Sequence, residues 1–283
     1  MTKTPSKEQI NNLITSALDE DIGLGDITSR SIVSPDEIYA AEVLTRENIV
    51  LCGLDILKSV FFKLDPDVSY LDDCFSDGDN IKSNTKILGI KGKGIALLEG
   101  ERVALNILQR LCGIATLTKQ YVEKADPVQI LDTRKTTPGL RSFEKYAVFC
   151  GGGSNHRLNL SCGIMVKDNH INKITDEVAD KLTTISPKIP IQFEVDSPKQ
   201  INPQNVSLVD AFLLDNMTPN KIKECLEKIN LLKNKDKNIF IEVSGGVTLK
   251  NISKFNLEGV NGISVGALTH QSTNVDIGLD LHS

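Results

Sequence analysis

Apolar positions follow two rhythms along the 283-residue chain, and the change from one to the other divides it. Ser6-Lys7-Glu8-Gln9 fits a capping box, and Ile10, Leu13, Ile14 and Ala17 follow at helical spacing; the helix should stop before Gly23 and Gly25. From about Ser31 to Leu98, short apolar stretches (Ala40 to Leu44, Ile49 to Leu51, Ile87 to Ile90) alternate with Gly, Asp and Asn around a helix near Leu54 to Phe62. That is the pattern of a small α/β domain. Glu101 to about Lys124 reads as one long helix, with Ala104, Ile107, Leu108, Leu111, Ala115 and Thr118 on one stripe and Gly113 as its weak point.

Beyond that helix, β-type runs recur at Val128 to Leu131, Ile164 to Val166, Ile189 to Val195, Ala211 to Leu214, Ile239 to Val243 and Gly262 to Val265. Helical segments such as Ile174 to Ile185 and Pro219 to Leu232 lie between them. Strands alternating with helices predict a parallel sheet, and this many units point to an α/β barrel of the TIM type, incomplete. An open doubly wound sheet is the competing architecture, but it lacks its early G-x-G-x-x-G turn here.

Composition narrows the function. Thirty-two basic residues against 37 acidic ones leave a net charge of −5, with no basic stripe, and Trp is absent, so the chain has little with which to bind nucleic acid. No apolar run is long enough for a membrane helix, and Met1 to Gln9 has no signal-peptide core. These features predict a cytoplasmic protein without a membrane partner. Cys52, Cys74, Cys112, Cys150, Cys162 and Cys225 contain no C-x-x-C pair and read as reduced, buried thiols rather than disulfides or a zinc site.

In a barrel of this type the chemistry sits at the C-terminal strand ends. Here those ends read Asp132-Thr133-Arg134-Lys135, Lys167-Asp168-Asn169-His170, Glu194-Val195-Asp196, Asp215-Asn216, Glu242 with Ser244-Gly245-Gly246, and Val265-Gly266. Between Arg134 and His170 lie Arg134, Lys135, Arg141, Lys145, Arg157 and Lys167, with only Glu144 and Asp168 as acids. Such a concentration in an acidic chain calls for a polyanion, and the guanidinium fork suits carboxylates and phosphates. Arg141, Glu144 and Lys145 fit equally well as surface decoration of a helix. Ser244, Gly245, Gly246 and Gly266 occupy the place where barrels bind phosphate through backbone N–H groups, though a Gly-Gly turn alone is ordinary. Glu194 and Asp215 would hold Mg²⁺ through water and substrate phosphates, bind sugar hydroxyls, or merely balance a lysine. His156 gains weight from Arg157 beside it; His170 gains less.

The motifs Asp132-Thr133-Arg134-Lys135-Thr136-Thr137-Pro138-Gly139-Leu140-Arg141, Glu144-Lys145-Tyr146-Ala147-Val148, Gly151-Gly152-Gly153-Ser154-Asn155-His156-Arg157 and Lys167-Asp168-Asn169-His170-Ile171 resemble the quinolinate phosphoribosyltransferase family, and the likeness runs over nearly the whole chain. The resemblance implies an N-terminal α/β sandwich domain over residues 1–112, joined by the tail 271–283, and an open TIM-like α/β barrel over 113–270. It implies transfer of a phosphoribosyl group from phosphoribosyl pyrophosphate to quinolinate with decarboxylation, Mg²⁺ as cofactor, and a homodimer. Arg134, His156, Arg157 and Lys167 would surround quinolinate, with Arg102 supplied across the dimer interface. Lys135, Glu194, Asp215, Ser244, Gly246 and Gly266 would serve the phosphoribosyl side, and Thr133, Gly245 and Val265 complete the binding set. Lys135, Lys167, Glu194 and Asp215 would be the catalytic group. Where the family shows Gly and an acid, this chain has Asn159 and Cys162, which bears on the shape of that loop. Two other functions remain: a barrel aldolase or decarboxylase with Lys167 forming a Schiff base, and a non-catalytic phosphate-ligand sensor.

Overall fold

The computed structural model describes residues 4–72, 74–167, 170, 175–185 and 189–282. It forms two compact units. The first comprises Met1–Lys119, Thr137–Gly152 and Gln271–Ser283; the second comprises Gln120–Thr136 and Gly153–His270. Among the described residues no helix is long and apolar enough to cross a membrane.

The first unit opens with α1 (Lys7–Ile22), closed at its start by the reciprocal Ser6–Gln9 bonds of the capping box and burying Ile14 and Leu18. A short α2 (Ile27–Ile32), absent from the sequence-based reading, is capped by Asp26, whose carboxylate accepts from Thr28 N and Ser29 N. β1 (Ile38–Thr45) and β5 (Thr85–Lys93) pair antiparallel at the centre of a four-stranded sheet, flanked by β12 (Ile277–His282) and β3 (Ser69–Leu71). A second ribbon joins β2 (Ile49–Val50) to β4 (Asn80–Ile81). α3 (Leu54–Leu64) buries Leu57, Val60 and Phe61. Its N-terminus has no side-chain cap of its own; Asp77 accepts from Gly53 N and Leu54 N instead, and also from the Tyr146 hydroxyl at 2.8 Å.

The long helix α4 (Gly94–Ala125) starts seven residues earlier than its periodic stripe indicates. Ile95-Ala96-Leu97-Leu98 falls at the end of the mixed region from Ser31 to Leu98, yet it belongs to the start of the helix, with Ala96 and Leu97 buried. Gly113 does not interrupt the helix. A Cβ there would stand 2.1 Å from the Thr273 carbonyl oxygen, so the glycine is what lets the C-terminal segment lie against α4. α5 (Arg141–Cys150) belongs to this unit, and its charges are not surface decoration: Glu144 is fully buried and Lys145 nearly so. Glu144 accepts from Arg110 at 2.7 Å and from Thr137 N and Oγ1, while Arg110 also reaches Ser272. All six cysteines are free, but only Cys52, Cys112 and Cys225 are buried; Cys74 is exposed. Burial holds the Cys112 thiol far above its ordinary range.

The second unit is a single parallel sheet of six strands: β6 (Gln129–Leu131), β7 (Ile164–Val166), β8 (Ile191–Val195), β9 (Ala211–Asp215), β10 (Phe240–Ser244) and β11 (Gly262–Ser264). Their order is β6-β11-β10-β9-β8-β7, so the first strand lies beside the last and the barrel stays open between β6 and β7. Helices α6 (Asp176–Ile185), α7 (Pro203–Leu208), α8 (Pro219–Leu232) and α9 (Ala267–His270) follow β7, β8, β9 and β11. Ile174, where α6 was expected to begin, lies outside the described residues, as do Asp168 and Asn169.

Successive residues on a strand face opposite ways. Ile191, Phe193, Val195, Phe212, Leu214, Ile241, Val243 and Ile263 share one face and are buried, with the Phe193 and Phe212 rings edge-on at 6.5 Å. The register pairs Glu194 with Leu213, Leu213 with Glu242, Asp215 with Ser244, and Ser244 with Ser264 on the other face. That face is polar.

Removing one partner from the buried Arg110–Glu144 pair should cost about 3 kcal/mol or more. Chemical denaturation of Arg110→Met would measure it; an unchanged midpoint would show that the pair contributes nothing to the first unit.

Candidate active site

The polar face of the parallel sheet opens at its C-terminal end into a cavity of about 390 Å³. Thr133, Arg134 and Lys135 follow β6; His156 and Arg157 come from the next loop; Lys167 follows β7; Glu194, Asp215 and Ser244 stand at the ends of β8, β9 and β10; all nine line this cavity. Asp132, Met165, Leu213, Glu242 and Ser264 complete the lining.

The loop carrying His156 and Arg157 is fastened to the end of β6. Ser154 makes a parallel bridge with Leu131, donating its N–H to Ile130 O at 2.7 Å. Asp132, fully buried, then accepts from Asn155 Nδ2 at 2.7 Å and from His156 N at 2.8 Å. Arg157 donates to the Gly163 carbonyl at 3.1 Å and approaches the Met165 sulfur at 3.5 Å. Asn159 gathers the same loop, its Oδ1 accepting from Ser161 N, Ser161 Oγ and Cys162 Sγ. Asn159 is not among the residues with positive φ, so nothing in the backbone here requires a glycine.

The charges converge. Burial first, and then the neighbouring Arg134 guanidinium, push Arg157 below its ordinary range, against a smaller opposing effect of Glu194. Two guanidinium groups that raise each other's electrostatic energy make a site suited to an anion. Lys167 Nζ lies 2.8 and 3.1 Å from the two oxygens of Glu194. Asp215 accepts from Asn216 Nδ2 at 2.8 Å. Deeper, His156 Nε2 is 3.2 Å from Glu242 Oε2 and 3.1 Å from Gln192 Oε1.

Five sequence-based candidates do not line the cavity. Gly245 (φ 95°) and Gly246 (φ 62°) form the turn after β10, and a Cβ at Gly245 would stand 2.1 Å from Asn216 Oδ1. Val265 is buried, and a Cβ at Gly266 would crowd Lys135 Cδ at 3.2 Å. Gly245, Val265 and Gly266 pack against the turns that carry Asp215, Ser244 and Lys135, whereas Gly246 is exposed and a Cβ there would meet open space. Arg102 belongs to the first unit, where its side chain is 71% exposed and 3.7 Å from Glu101. Arg141 and Lys145 also belong to the first unit. His170 accepts the Lys167 N–H at 3.2 Å and closes a turn. The sequence-based reading marks Asp132 only as part of a polar strand end, without a role, and does not single out Gln192 or Ser264. The signal for each was its place on the face of a strand shared with an already suspect residue.

The family profile described as "Quinolinate phosphoribosyl transferase, C-terminal domain" matches residues 114–280, and its N-terminal counterpart matches residues 26–112. A probable nicotinate-nucleotide pyrophosphorylase (carboxylating) of Bacillus subtilis strain 168 is 38% identical over 278 residues, covering 96% of this chain and 93% of the relative. Its counterpart in Methanocaldococcus jannaschii is 35% identical over 283 residues, covering 97% and 98%. The crystal structure of NadC from Streptococcus pyogenes superposes with a TM-score of 0.90 at 35% identity, covering 98% of each chain.

Proposed function

The chain belongs to the quinolinate phosphoribosyltransferase family, and from that premise we propose how the cavity at its strand ends carries out the reaction. The enzyme joins quinolinate to phosphoribosyl pyrophosphate with loss of CO₂, giving nicotinate mononucleotide and pyrophosphate for NAD synthesis. Quinolinate carries two carboxylates beside its ring nitrogen. Arg134, Arg157, Lys167 and His156 bind them and hold the nitrogen toward C1 of the ribose. The observation that carries this assignment is that Arg134, His156, Arg157 and Lys167, from three separate segments of the chain, line one cavity.

The C1–oxygen bond to pyrophosphate breaks as the ring nitrogen closes on C1, through a cation-like sugar. Lys135, on the phosphoribosyl side, offsets charge on the leaving pyrophosphate. Glu194 and Asp215 stabilise the positive charge at C1. The pyridinium so formed draws electrons from the adjacent carboxylate, whose bond to C2 breaks with release of CO₂, and C2 takes up a proton. No protein nucleophile is needed; orientation and electrostatics do the catalysis. The carboxylates of Glu194 and Asp215 are hard oxygen donors facing one cavity, a set that suits Mg²⁺ held through water and substrate phosphates. The ion would neutralise pyrophosphate as it leaves. The pairing of Lys167 with Glu194 counts against the Schiff-base alternative, because an ammonium has no lone pair to give a carbonyl.

We place the enzyme in the cytoplasm, a reading supported by its free thiols. We also propose a homodimer in which Arg102, exposed on its own chain, completes the partner's quinolinate site.

Quinolinate, phosphoribosyl pyrophosphate and Mg²⁺ should yield nicotinate mononucleotide and CO₂, and nicotinate in place of quinolinate should not; equal turnover of both would refute the dicarboxylate assignment. Arg134→Ala should lower kcat/KM for quinolinate by about 100-fold or more with an unchanged circular dichroism spectrum. Normal turnover in that variant would remove Arg134 from the site. Mixing Arg102→Ala with Arg157→Ala subunits should restore activity that neither variant has alone, since one site of each hybrid keeps both arginines. Absence of recovery would refute a shared site.

A further inference from the structure

The floor of the cavity holds a carboxylate that the reaction as written does not use. Glu242 is 2% exposed. Its Oε1 accepts from the Ser264 hydroxyl, and its Oε2 accepts from Gln192 Nε2 at 2.6 Å. His156 Nε2 lies 3.2 Å from that same Oε2 and 3.1 Å from Gln192 Oε1. The Gln192 amide is oriented by its bond to Glu242, so its oxygen must face the histidine. Both neighbours of Nε2 are therefore acceptors, and Nε2 carries a hydrogen.

Burial by itself pushes the Glu242 carboxyl up, yet the contacts with His156, Ser264 and Gln192 together keep it below the ordinary carboxylate range. A carboxylate that stays ionised at this depth needs a cation beside it. Ser264 and Gln192 are neutral. Among the described residues the ion-pair partner of Glu242 is His156.

We propose that Glu242 is a positioning residue that holds His156 as an imidazolium, so that the pyridine dicarboxylate meets a histidine cation as well as arginine and lysine. The proposal rests on the placement of quinolinate argued above. Groups around the ring come from the ends and faces of several strands. Asp132, after β6, accepts the His156 N–H at 2.8 Å and adds a second negative charge. Gln192 on β8, Glu242 on β10 and Ser264 on β11 form the network itself. Arg134, Arg157 and Lys167 share the cavity and oppose protonation, while Glu194 offsets Lys167 through their ion pair. The contact with Glu242 is direct and buried, whereas the Lys167 side chain is 42% exposed and screened by water.

Glu242→Gln tests the idea with little change of shape. Its amide oxygen accepts from Gln192 and His156 and its NH₂ donates to Ser264, so the network stays bonded while the charge is lost. Nitrogen-15 spectra of labelled histidine, with His156 identified by its disappearance in His156→Gln, read the ring without substrate. In the wild type the imidazolium should persist well above the ordinary histidine midpoint of about 6.5, and in Glu242→Gln it should titrate at about 6.5 or below. Kinetically, Glu242→Gln should raise KM for quinolinate by about tenfold or more at pH 8 and return toward the wild-type value at about pH 5, with KM for phosphoribosyl pyrophosphate little changed. A wild-type ring that titrates at or below about 6.5 overturns the proposal, and so does a defect of the same size at both pH values, which is what a purely structural role predicts. The nuclear magnetic resonance titration stands whether or not quinolinate binds here, so a wild type that fails to make nicotinate mononucleotide would count against the assigned reaction and leave the Glu242–His156 pair to be judged on its own.

Discussion

Keeping like charges together is the constraint on which the second unit depends. Arg134 and Arg157 reach one cavity from separate segments, and burial together with the Arg134 charge weakens the hold of Arg157 on its proton. The fold meets part of that cost with fixed acceptors. The Gly163 carbonyl and the Met165 sulfur hold Arg157 in place. The acids nearby are already engaged: Glu194 with Lys167, Asp132 with the loop backbone, Glu242 with the floor. An incoming dicarboxylate therefore meets several cations in a place already shaped for it, so little reorganisation is needed on binding.

The sheet makes this possible through its two faces. In a closed barrel the interior is usually filled by layers of branched apolar side chains. Here the branched and aromatic residues sit on the opposite face, among them Phe193, Phe212, Leu214, Val243 and Ile263, all nearly inaccessible. The interior face carries Glu194, Asp215, Glu242, Ser244 and Ser264 in adjacent registers. Such a face could not be left as a dry core, because each carboxylate would need a partner. The hydrogen bonds among Gln192, Glu242, Ser264 and His156 satisfy the deepest of these groups, and the shallower ones are left to face ligand and water.

Much of this was legible in the chain. The capping box at Ser6, the strand runs at Ile164 to Val166 and Ala211 to Leu214, and the helix Pro219 to Leu232 all follow from period and cap chemistry. Strand-end position picked out Thr133, Arg134, Lys135, Lys167, Glu194, Asp215 and Ser244, all of which line the cavity. What escaped depends on partners distant in sequence. The early start of α4 was hidden because Ile95 to Leu98 satisfies either period. Asp77 gives no local hint that it caps α3 more than twenty residues earlier in the chain. Gly113 looks like a helix breaker until the Thr273 carbonyl is seen against it.

The basic stretch from Arg134 to His170 shows why density of charge is a weaker guide than position. Lys145 and Lys167 are both lysines of that stretch, and they have nothing else in common. Lys145 sits on a helix of the first unit, nearly fully buried, beside a glutamate bonded to Arg110 and Thr137. Lys167 ends a parallel strand, half-exposed in the cavity and paired with Glu194. The same contrast holds for acids: Glu144 ties α4 to α5 within the first unit, whereas Glu242 lies under the cavity in contact with a residue of its wall. Composition counts these residues alike. The strand end distinguishes them, because a parallel sheet delivers the last side chain of each strand to one rim, and a charge delivered there either meets a ligand or destabilises the fold that put it there.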